Sequence, residues 1–146
     1  MAFPRGFTGF TRLIADWILA RCISLFKTTV TTYNAAGDMA MTAAQVLGGL
    51  ILRDPNGAAR ADVLPAAAPL VAAIRGAFVG LTFEFTIRNT ADAAEAITVT
   101  APNAAVTISG TATIAQNNSK TFLVRLTNVD PGSEAYTAYS LGTSVH

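Results

Sequence analysis

The sequence predicts a mainly β fold: a β-sandwich or jelly-roll-like domain with short helices and an N-terminal amphipathic helix or arm. Apolar and polar residues alternate over residues 81–88, and residues two apart in a strand share one face. Short threonine-rich runs separated by turn residues fill the second half of the chain, which is typical of sandwiches. Residues 10–26 instead carry apolar residues at helical spacing. We therefore expect an arm and helix over residues 1–27 and a β-rich domain over residues 28–146.

The first predicted element is a helix over residues 10–26, called here the apolar segment. Its apolar side chains recur every three or four positions and share one helical face, and a stripe this wide must be buried. Docking on the chain's own β domain, packing against other subunits and lying on a membrane surface are the alternatives. Trp17, a typical interface anchor, favours a partner or oligomer interface. The residues predicted to form it are Phe10, Leu13, Ile14, Trp17, Ile18 and Leu25, with Cys22 on the same face as a buried structural thiol.

A strand and a short helix are predicted next. The β-branched residues over 28–33 favour a strand. Thr42 and Gln45 have the spacing of a capping box. The helix that follows is expected to end at Gly48-Gly49 after one or two turns.

A second strand and a second helix follow in the prediction. Residues 50–53 are predicted as a strand, and Asp54-Pro55-Asn56-Gly57 as a type I turn with proline and glycine in their preferred places. Residues 65–74 are predicted as a short helix, in which Pro69 is accommodated only in the first turn.

Six further strands are predicted, arranged as a meander or a Greek key. They cover residues 81–88, 97–100, 106–109, 111–115, 121–128 and 135–141. Threonine outnumbers charge at their polar positions, and such sheets are prone to pair along their edges. The core is predicted to be set by Phe83, Phe85, Val99, Phe122, Val124 and Leu126.

The low charge of the chain predicts an oligomer. Charged residues make up 13% of the 146 residues, about half of the usual share, while apolar residues make up 51%. A monomer with so little charge has difficulty in keeping its surface hydrated, so part of that surface is expected to be buried between subunits. The net charge of +1 and the dispersed basic residues do not favour nucleic-acid binding.

No targeting or membrane signal is predicted. Asp16 and Arg21 interrupt the apolar segment, so it has neither the apolar run of a signal peptide nor the roughly 20 uncharged residues of a membrane span. The single Cys22 excludes an internal disulfide. We expect a soluble, unprocessed protein that folds in a reducing cytoplasm.

No catalytic or metal-binding set is predicted, and no cofactor is expected. His146 is the only histidine, so neither a Ser-His-Asp relay nor a histidine metal site is expected within one chain. Glu84, Asp92 and Glu95 are interpreted as solvated surface charges, and Asn117-Asn118-Ser119 as a hairpin tip. The sequence therefore favours a structural or interaction protein over an enzyme.

Five stretches resemble a family of small virion proteins of tailed phages, especially those that infect cyanobacteria and other aquatic bacteria. They are Thr42-Ala43-Ala44-Gln45, Ile51-Leu52-Arg53-Asp54-Pro55-Asn56-Gly57-Ala58-Ala59-Arg60, Phe83-Glu84-Phe85-Thr86-Ile87-Arg88-Asn89-Thr90, Ile114-Ala115-Gln116-Asn117-Asn118-Ser119 and Tyr139-Ser140-Leu141-Gly142. Residues 1–27, which include the apolar segment, are outside the resemblance. Such proteins are similar to head decoration or cement proteins, which are small β-rich subunits, commonly trimeric, that bind outside a capsid lattice and clamp adjacent hexamers.

By this resemblance the chain is expected to be a capsid cement protein of the virion exterior, assembled in the host cytoplasm, with the major capsid protein as its partner. A homotrimer is expected, and neither nucleic acid nor membrane is an expected partner. A short fibre or tail component that contacts the host surface is one alternative. A carbohydrate-binding module is another, for which Tyr136 and Tyr139 are the C-terminal aromatic candidates, although their strand parity is opposite.

Overall fold

Nine strands and two short helices lie within residues 29–146, the part of the chain that the computed structural model describes. The strands are β1 (Thr29–Tyr33), β2 (Gly49–Arg53), β3 (Arg60–Val63), β4 (Thr82–Asn89), β5 (Ile97–Thr100), β6 (Val106–Ser109), β7 (Thr113–Ile114), β8 (Asn118–Asn128) and β9 (Ala135–Val145). The helices are α1 (Ala43–Gly48) and α2 (Ala67–Ala73). This architecture confirms the predicted mainly β fold with short helices. The arm and helix predicted over residues 1–27 lie outside the described residues.

The larger sheet has six strands in the order β1-β2-β4-β8-β9-β6. β1 runs parallel to β2, β2 to β4 and β6 to β9, whereas β8 is antiparallel to both β4 and β9. The predicted meander or Greek key was wrong, because parallel neighbours need crossover connections and cannot be joined by hairpins. The stretch between β1 and β2 contains α1, and the stretch between β2 and β4 contains β3 and α2.

The smaller sheet has three strands in the order β3-β5-β7. β3 is parallel to β5, and β5 is antiparallel to β7. The amide of Met41 donates to Val63 O at 2.8 Å, so the loop before α1 extends this sheet beside β3. The sequence prediction omitted β3, because Arg60 and Asp62 interrupt its apolar pattern.

One apolar core lies between the two sheets and takes in side chains of both helices. Phe85 and Phe122 face each other across β4 and β8, with ring centroids 5.3 Å apart. The arrangement is the sandwich of the prediction, and its parallel pairs distinguish it from a jelly roll. Of the predicted core residues, the buried ones are Phe85, Val99, Phe122, Val124 and Leu126, and Phe83 is half-buried.

The larger sheet has an inner face, which packs on the core, and an opposite outer face. On β4, Phe85 and Ile87 are buried on the inner face, and Glu84 and Arg88 are exposed on the outer face. This is the alternation that the sequence predicted. Residues directly opposite in neighbouring strands share a face, so the register extends the assignment across the sheet.

Two polar residues define the start of α1, and a glycine defines its end. The Thr42 amide donates to Gln45 Oε1 at 2.8 Å, and the Gln45 amide donates to Thr42 Oγ1 at 3.3 Å, which completes the predicted capping box. Gly49 follows the helix with a φ of 93°, a left-handed value that favours glycine. Pro69 lies in the first turn of α2, as predicted.

Two local predictions differ from the structure. Asn56 has a φ of 53°, which excludes the predicted type I turn because that turn has a negative φ at this position. β8 and β9 are longer than predicted, since they pair with each other as far as Asn118 and Val145 around a bulge at Thr121/Phe122. A bulge of this kind bends the strand and increases its local twist.

Candidate functional site

The residues predicted to form a partner or oligomer interface precede Thr29 and lie outside the described residues. They are Phe10, Leu13, Ile14, Trp17, Ile18 and Leu25. The candidate features within residues 29–146 include a buried polar cluster, formed by Arg53, Asp62, Asn89 and Glu95, and bulky apolar side chains on the surface.

A buried ion pair joins β2 of the larger sheet to β3 of the smaller sheet. Arg53 Nε donates to Asp62 Oδ2 at 2.8 Å, and both side chains are shielded from solvent. Arg53 Nη2 donates to Asp62 Oδ1 at 3.3 Å, so the contact is bidentate. The same Asp62 oxygen accepts the Met39 amide at 2.8 Å. A buried pair needs such additional hydrogen bonds to offset its desolvation.

The remaining N–H groups of Arg53 bind backbone carbonyls. Nη1 donates to Ala35 O at 3.0 Å and to Asp54 O, and Nη2 donates to Gly37 O at 2.6 Å. The guanidinium carbon lies 4.8 Å from the ring centroid of Tyr33. All five donors of the guanidinium are engaged, so Arg53 fastens the loop between β1 and α1 rather than presenting a charge to a ligand.

Sequence reasoning missed this pair, although one signal for Arg53 was present. Arg53 has the same parity in β2 as the buried Ile51, so the alternation directed the arginine towards the core. No local pattern indicated Asp62 as its partner, because that residue belongs to a strand of the other sheet.

Glu95 is buried, with 7% of its surface exposed, so its interpretation as a solvated charge was wrong. Its Oε1 accepts the Gly57 amide at 2.7 Å, and its Oε2 has no hydrogen-bond partner among the described residues. The bond to Gly57 holds the loop after β4 against the turn after β2. Glu84 and Asp92 are exposed, as predicted.

Asn89 organises the same loop from the end of β4. Its Nδ2 donates to Glu95 O at 2.7 Å and to Ile114 O at 3.1 Å. Its Oδ1 accepts the Ala91 amide at 3.0 Å. The buried Asn89 side chain therefore joins β4, the following loop and β7, and its hydrogen-bonding groups are used within the chain.

Ser119 and His146 make a contact that the sequence did not predict. Ser119 Oγ lies 2.8 Å from His146 Nε2, and the His146 amide donates to Asn117 O at 2.9 Å. A serine and a histidine in hydrogen-bond contact are two parts of a nucleophile relay, which also needs a group that orients the base. The structure places no such third group on this pair in residues 29–146, and the contact ties the end of β9 to the start of β8.

Tyr136 is a buried hydrogen-bond donor on β9. Its hydroxyl donates to Pro65 O at 2.6 Å, which links the larger sheet to the segment before α2. Burial raises the pKa of the Tyr136 phenol well above its usual value. Tyr139 is half-buried on the other face of the strand, so the opposite parity predicted for the two tyrosines is confirmed.

Bulky apolar side chains are exposed at several places on the described surface. They are Val30, Phe78, Val79, Leu141 and Val145. Phe78 and Val79 are adjacent and are 59% and 57% exposed, in the connection between α2 and β4. The Leu81 amide donates to Phe78 O at 3.1 Å, and Gly80 has a φ of 93°, as at the third position of a type II turn.

Residues 29–146 contain neither a metal-binding cluster nor a membrane-spanning helix. No group of three or more His, Cys, Asp or Glu side chains in this part of the chain is placed to hold a metal ion. Neither helix of the same part is long and apolar enough to cross a membrane.

Comparison with known proteins gave no match: no family model, no curated protein and no solved structure is similar to this chain at a significant level.

Proposed function

We propose that this chain is a structural virion protein of a tailed phage, a decoration or cement subunit that binds the outside of the head and stabilises adjacent capsomers. Its partner is the major capsid protein, and its working form is a homotrimer. The subunit acts by filling and bridging a surface, so it needs a rigid body and exposed contact residues rather than a reactive centre.

The observation that carries this proposal is the exposed pair Phe78 and Val79 on a turn that is fixed to the sandwich. The Gly80 amide donates to Leu126 O at 2.8 Å, and the Leu126 amide donates to Leu81 O at 3.0 Å. Leu126 itself is fully buried. A turn whose backbone is hydrogen-bonded to the sheet needs little further ordering on binding, and exposed large apolar side chains are typical of protein contacts.

The hydrogen bonds of Arg53, Asp62 and Asn89 support a structural role. Arg53, Asp62 and Asn89 direct their hydrogen-bonding groups at the chain itself, and their bonds hold the loops at one end of the sandwich. A polar network that is satisfied in this way makes the structure rigid. A rigid subunit can keep neighbouring capsomers at a fixed spacing.

The outer face of the larger sheet supports close assembly. Thr86 Oγ1 and Thr121 Oγ1 lie 2.9 Å apart across β4 and β8, so these hydroxyls are paired within the face. With a net charge of +1 for the whole chain, copies of the protein repel one another little. Both properties suit many copies on one lattice.

A head-binding assay tests the proposal. Heads of the encoding phage that lack this subunit are expected to bind the full chain saturably at threefold positions of the lattice. The double variant Phe78→Ser/Val79→Ser is expected to bind at least about tenfold more weakly, which corresponds to roughly 1.4 kcal/mol. Its circular dichroism and urea midpoint should stay unchanged, because both side chains are exposed.

The matched control is Thr98→Ser, an exposed position on the smaller sheet, which should bind like the unmodified protein. Heads that stay bare at saturating protein would contradict the proposal. Labelling of tail tips instead of heads would replace it with the fibre alternative. Light scattering of the free protein is expected to give the mass of a trimer, and a monomer at micromolar concentration would contradict that part.

A further inference from the structure

Val30, Leu50 and Leu52 form an apolar strip on the outer face of the larger sheet. Val30 is opposite Leu50 in the register of β1 and β2, and Leu52 lies two residues further along the same face. Val30 is 53% exposed, and both leucines are half-buried. This outer strip occupies the edge strand and its neighbour.

The outer face becomes polar immediately beyond the strip. In the register of β2 and β4, Leu50 is opposite Thr86, and Leu52 is opposite the exposed Arg88. Glu84 lies on the same face of β4 and is also exposed. A covering element with an apolar stripe would therefore match β1 and β2 and not β4.

The apolar segment directly precedes β1 in the chain. It ends at residue 26, and β1 begins at Thr29, so only Lys27 and Thr28 connect the two. Connections of two to six residues between a helix and a following strand are common, and they lay the helix back over the sheet beside that strand. The strand in question carries Val30.

The dimensions agree with this placement. As the helix that its spacing predicts, the apolar segment of 17 residues would be about 25 Å long and about 10 Å across. Two neighbouring strands span about 10 Å when each takes about 5 Å. One helix would therefore cover the strands that carry the outer strip and leave the polar residues of β4 in water.

We propose that the apolar segment packs on the outer strip of its own chain, with the face of Trp17 and Cys22 against Val30, Leu50 and Leu52. This placement differs from the partner interface that the sequence alone favoured for the segment. With the segment in this place, β1 and β2 are covered on both faces of the sheet, and the other strands are covered on the inner face alone. The placement does not depend on the decoration role, since the contact is within one subunit.

Tryptophan fluorescence provides the first test, because Trp17 is the only tryptophan of the chain. Leu52→Ser is expected to shift the emission to longer wavelength and to increase quenching by acrylamide. Leu123→Ser is the matched control: Leu123 is half-buried on the same outer face, opposite Glu84 and two strands from β2. It should leave both readings unchanged. An equal shift in the two variants, or a shift with Leu123→Ser alone, would overturn the placement.

Cross-linking provides a second test that keeps the strip intact. Cys22 is the only cysteine, and Thr32 is exposed on the outer face opposite Leu52. Thr32→Cys, treated with a short bis-maleimide, is expected to give a link within one chain, seen as a monomer on a denaturing gel and as a joined peptide by mass spectrometry. Thr98→Cys on the smaller sheet should not link to Cys22. Links between two chains would show that the strip binds a second copy of the protein. Equal linking by Thr98→Cys, or no link with Thr32→Cys, would contradict the proposed contact.

Discussion

Arg53 connects stretches of chain that are far apart in sequence. Its guanidinium binds Asp62, the carbonyls of Ala35 and Gly37, and the ring of Tyr33. Removal of one partner from a buried pair leaves the other charge uncompensated, which typically costs about 3 to 5 kcal/mol. We expect Arg53→Met to lower the free energy of unfolding by that amount in urea melts. The exposed Arg125 is the control, and Arg125→Met should change the same quantity by less than about 0.5 kcal/mol.

A double variant separates the effect of charge from the effect of packing at this position. Arg53→Met/Asp62→Leu removes both charges and should recover part of the lost stability, because an apolar pair of similar volume often replaces a buried ion pair well. Equal losses in Arg53→Met and Arg125→Met would show that the buried pair contributes little.

Burial of Tyr136 is expected to make the fold less stable at alkaline pH. Its pKa is raised by burial, so the native state keeps the phenol protonated while the unfolded chain ionises near pH 10. The contribution of this raised pKa to the free energy of unfolding is fully present below pH 10. It is lost as the pH rises towards the pKa that Tyr136 has in the folded state. We expect Tyr136→Phe to cost about 1 to 2 kcal/mol at pH 7, through the lost bond to Pro65 O. Between pH 8 and pH 10.5, the urea midpoint should fall less for this variant than for the unmodified protein. Equal falls for the two proteins would contradict this role of Tyr136.

At the scale of single elements, β4 provides a test of which face is buried. Phe85 is 1% exposed and stacks on Phe122, so Phe85→Ala is expected to cost about 3 to 5 kcal/mol. Thr86 is half-buried on the outer face and loses only its bond to Thr121, so Thr86→Ala should cost about 1 kcal/mol. Denaturant melts of the two variants measure the difference. Similar losses would mean that the faces of β4 are assigned wrongly.

Local patterns predicted most elements but not their pairing. The alternation in β4 and the capping box of Thr42 and Gln45 act over a few residues, so they were visible in the sequence and the structure has both. Alternation is the same for parallel and antiparallel neighbours, so the parallel run of β1, β2 and β4 was not visible. The buried contacts of Asp62 and Glu95 join separate elements of the chain, so local patterns did not indicate them either.

At the scale of the whole molecule, residues 29–146 contain an apolar core to which both sheets and both helices contribute. Deletion of residues 1–27 is therefore expected to leave a cooperatively folding domain with nearly unchanged circular dichroism in the β region. The truncated chain should associate more readily than the full chain, because Val30, Leu50 and Leu52 would then face water. Urea melts and analytical ultracentrifugation check the two expectations. A truncated chain without a cooperative transition would show that the core depends on the apolar segment.

The strand order also decides when the sheet can form. β8 and β9 are joined by residues 129–134 alone, whereas the parallel pairs close over longer stretches, and longer loops cost more entropy to close. We expect the β8-β9 hairpin to lead folding. Leu126→Ala on β8 should slow refolding in stopped-flow experiments, and Ile51→Val on β2 should mainly speed unfolding; the reverse pattern would contradict this order.

The same order has a consequence for synthesis on the ribosome. β4 lies between β2 and β8 in the sheet, but β8 and β9 are translated after β1, β2 and β4. β4 therefore leaves the ribosome before its antiparallel partner β8, and the larger sheet stays incomplete until β8 and β9 have followed. Folding of this chain is thus expected to follow translation of β9 rather than accompany it, which leaves the nascent β1, β2 and β4 as the segments that chaperones would have to shield.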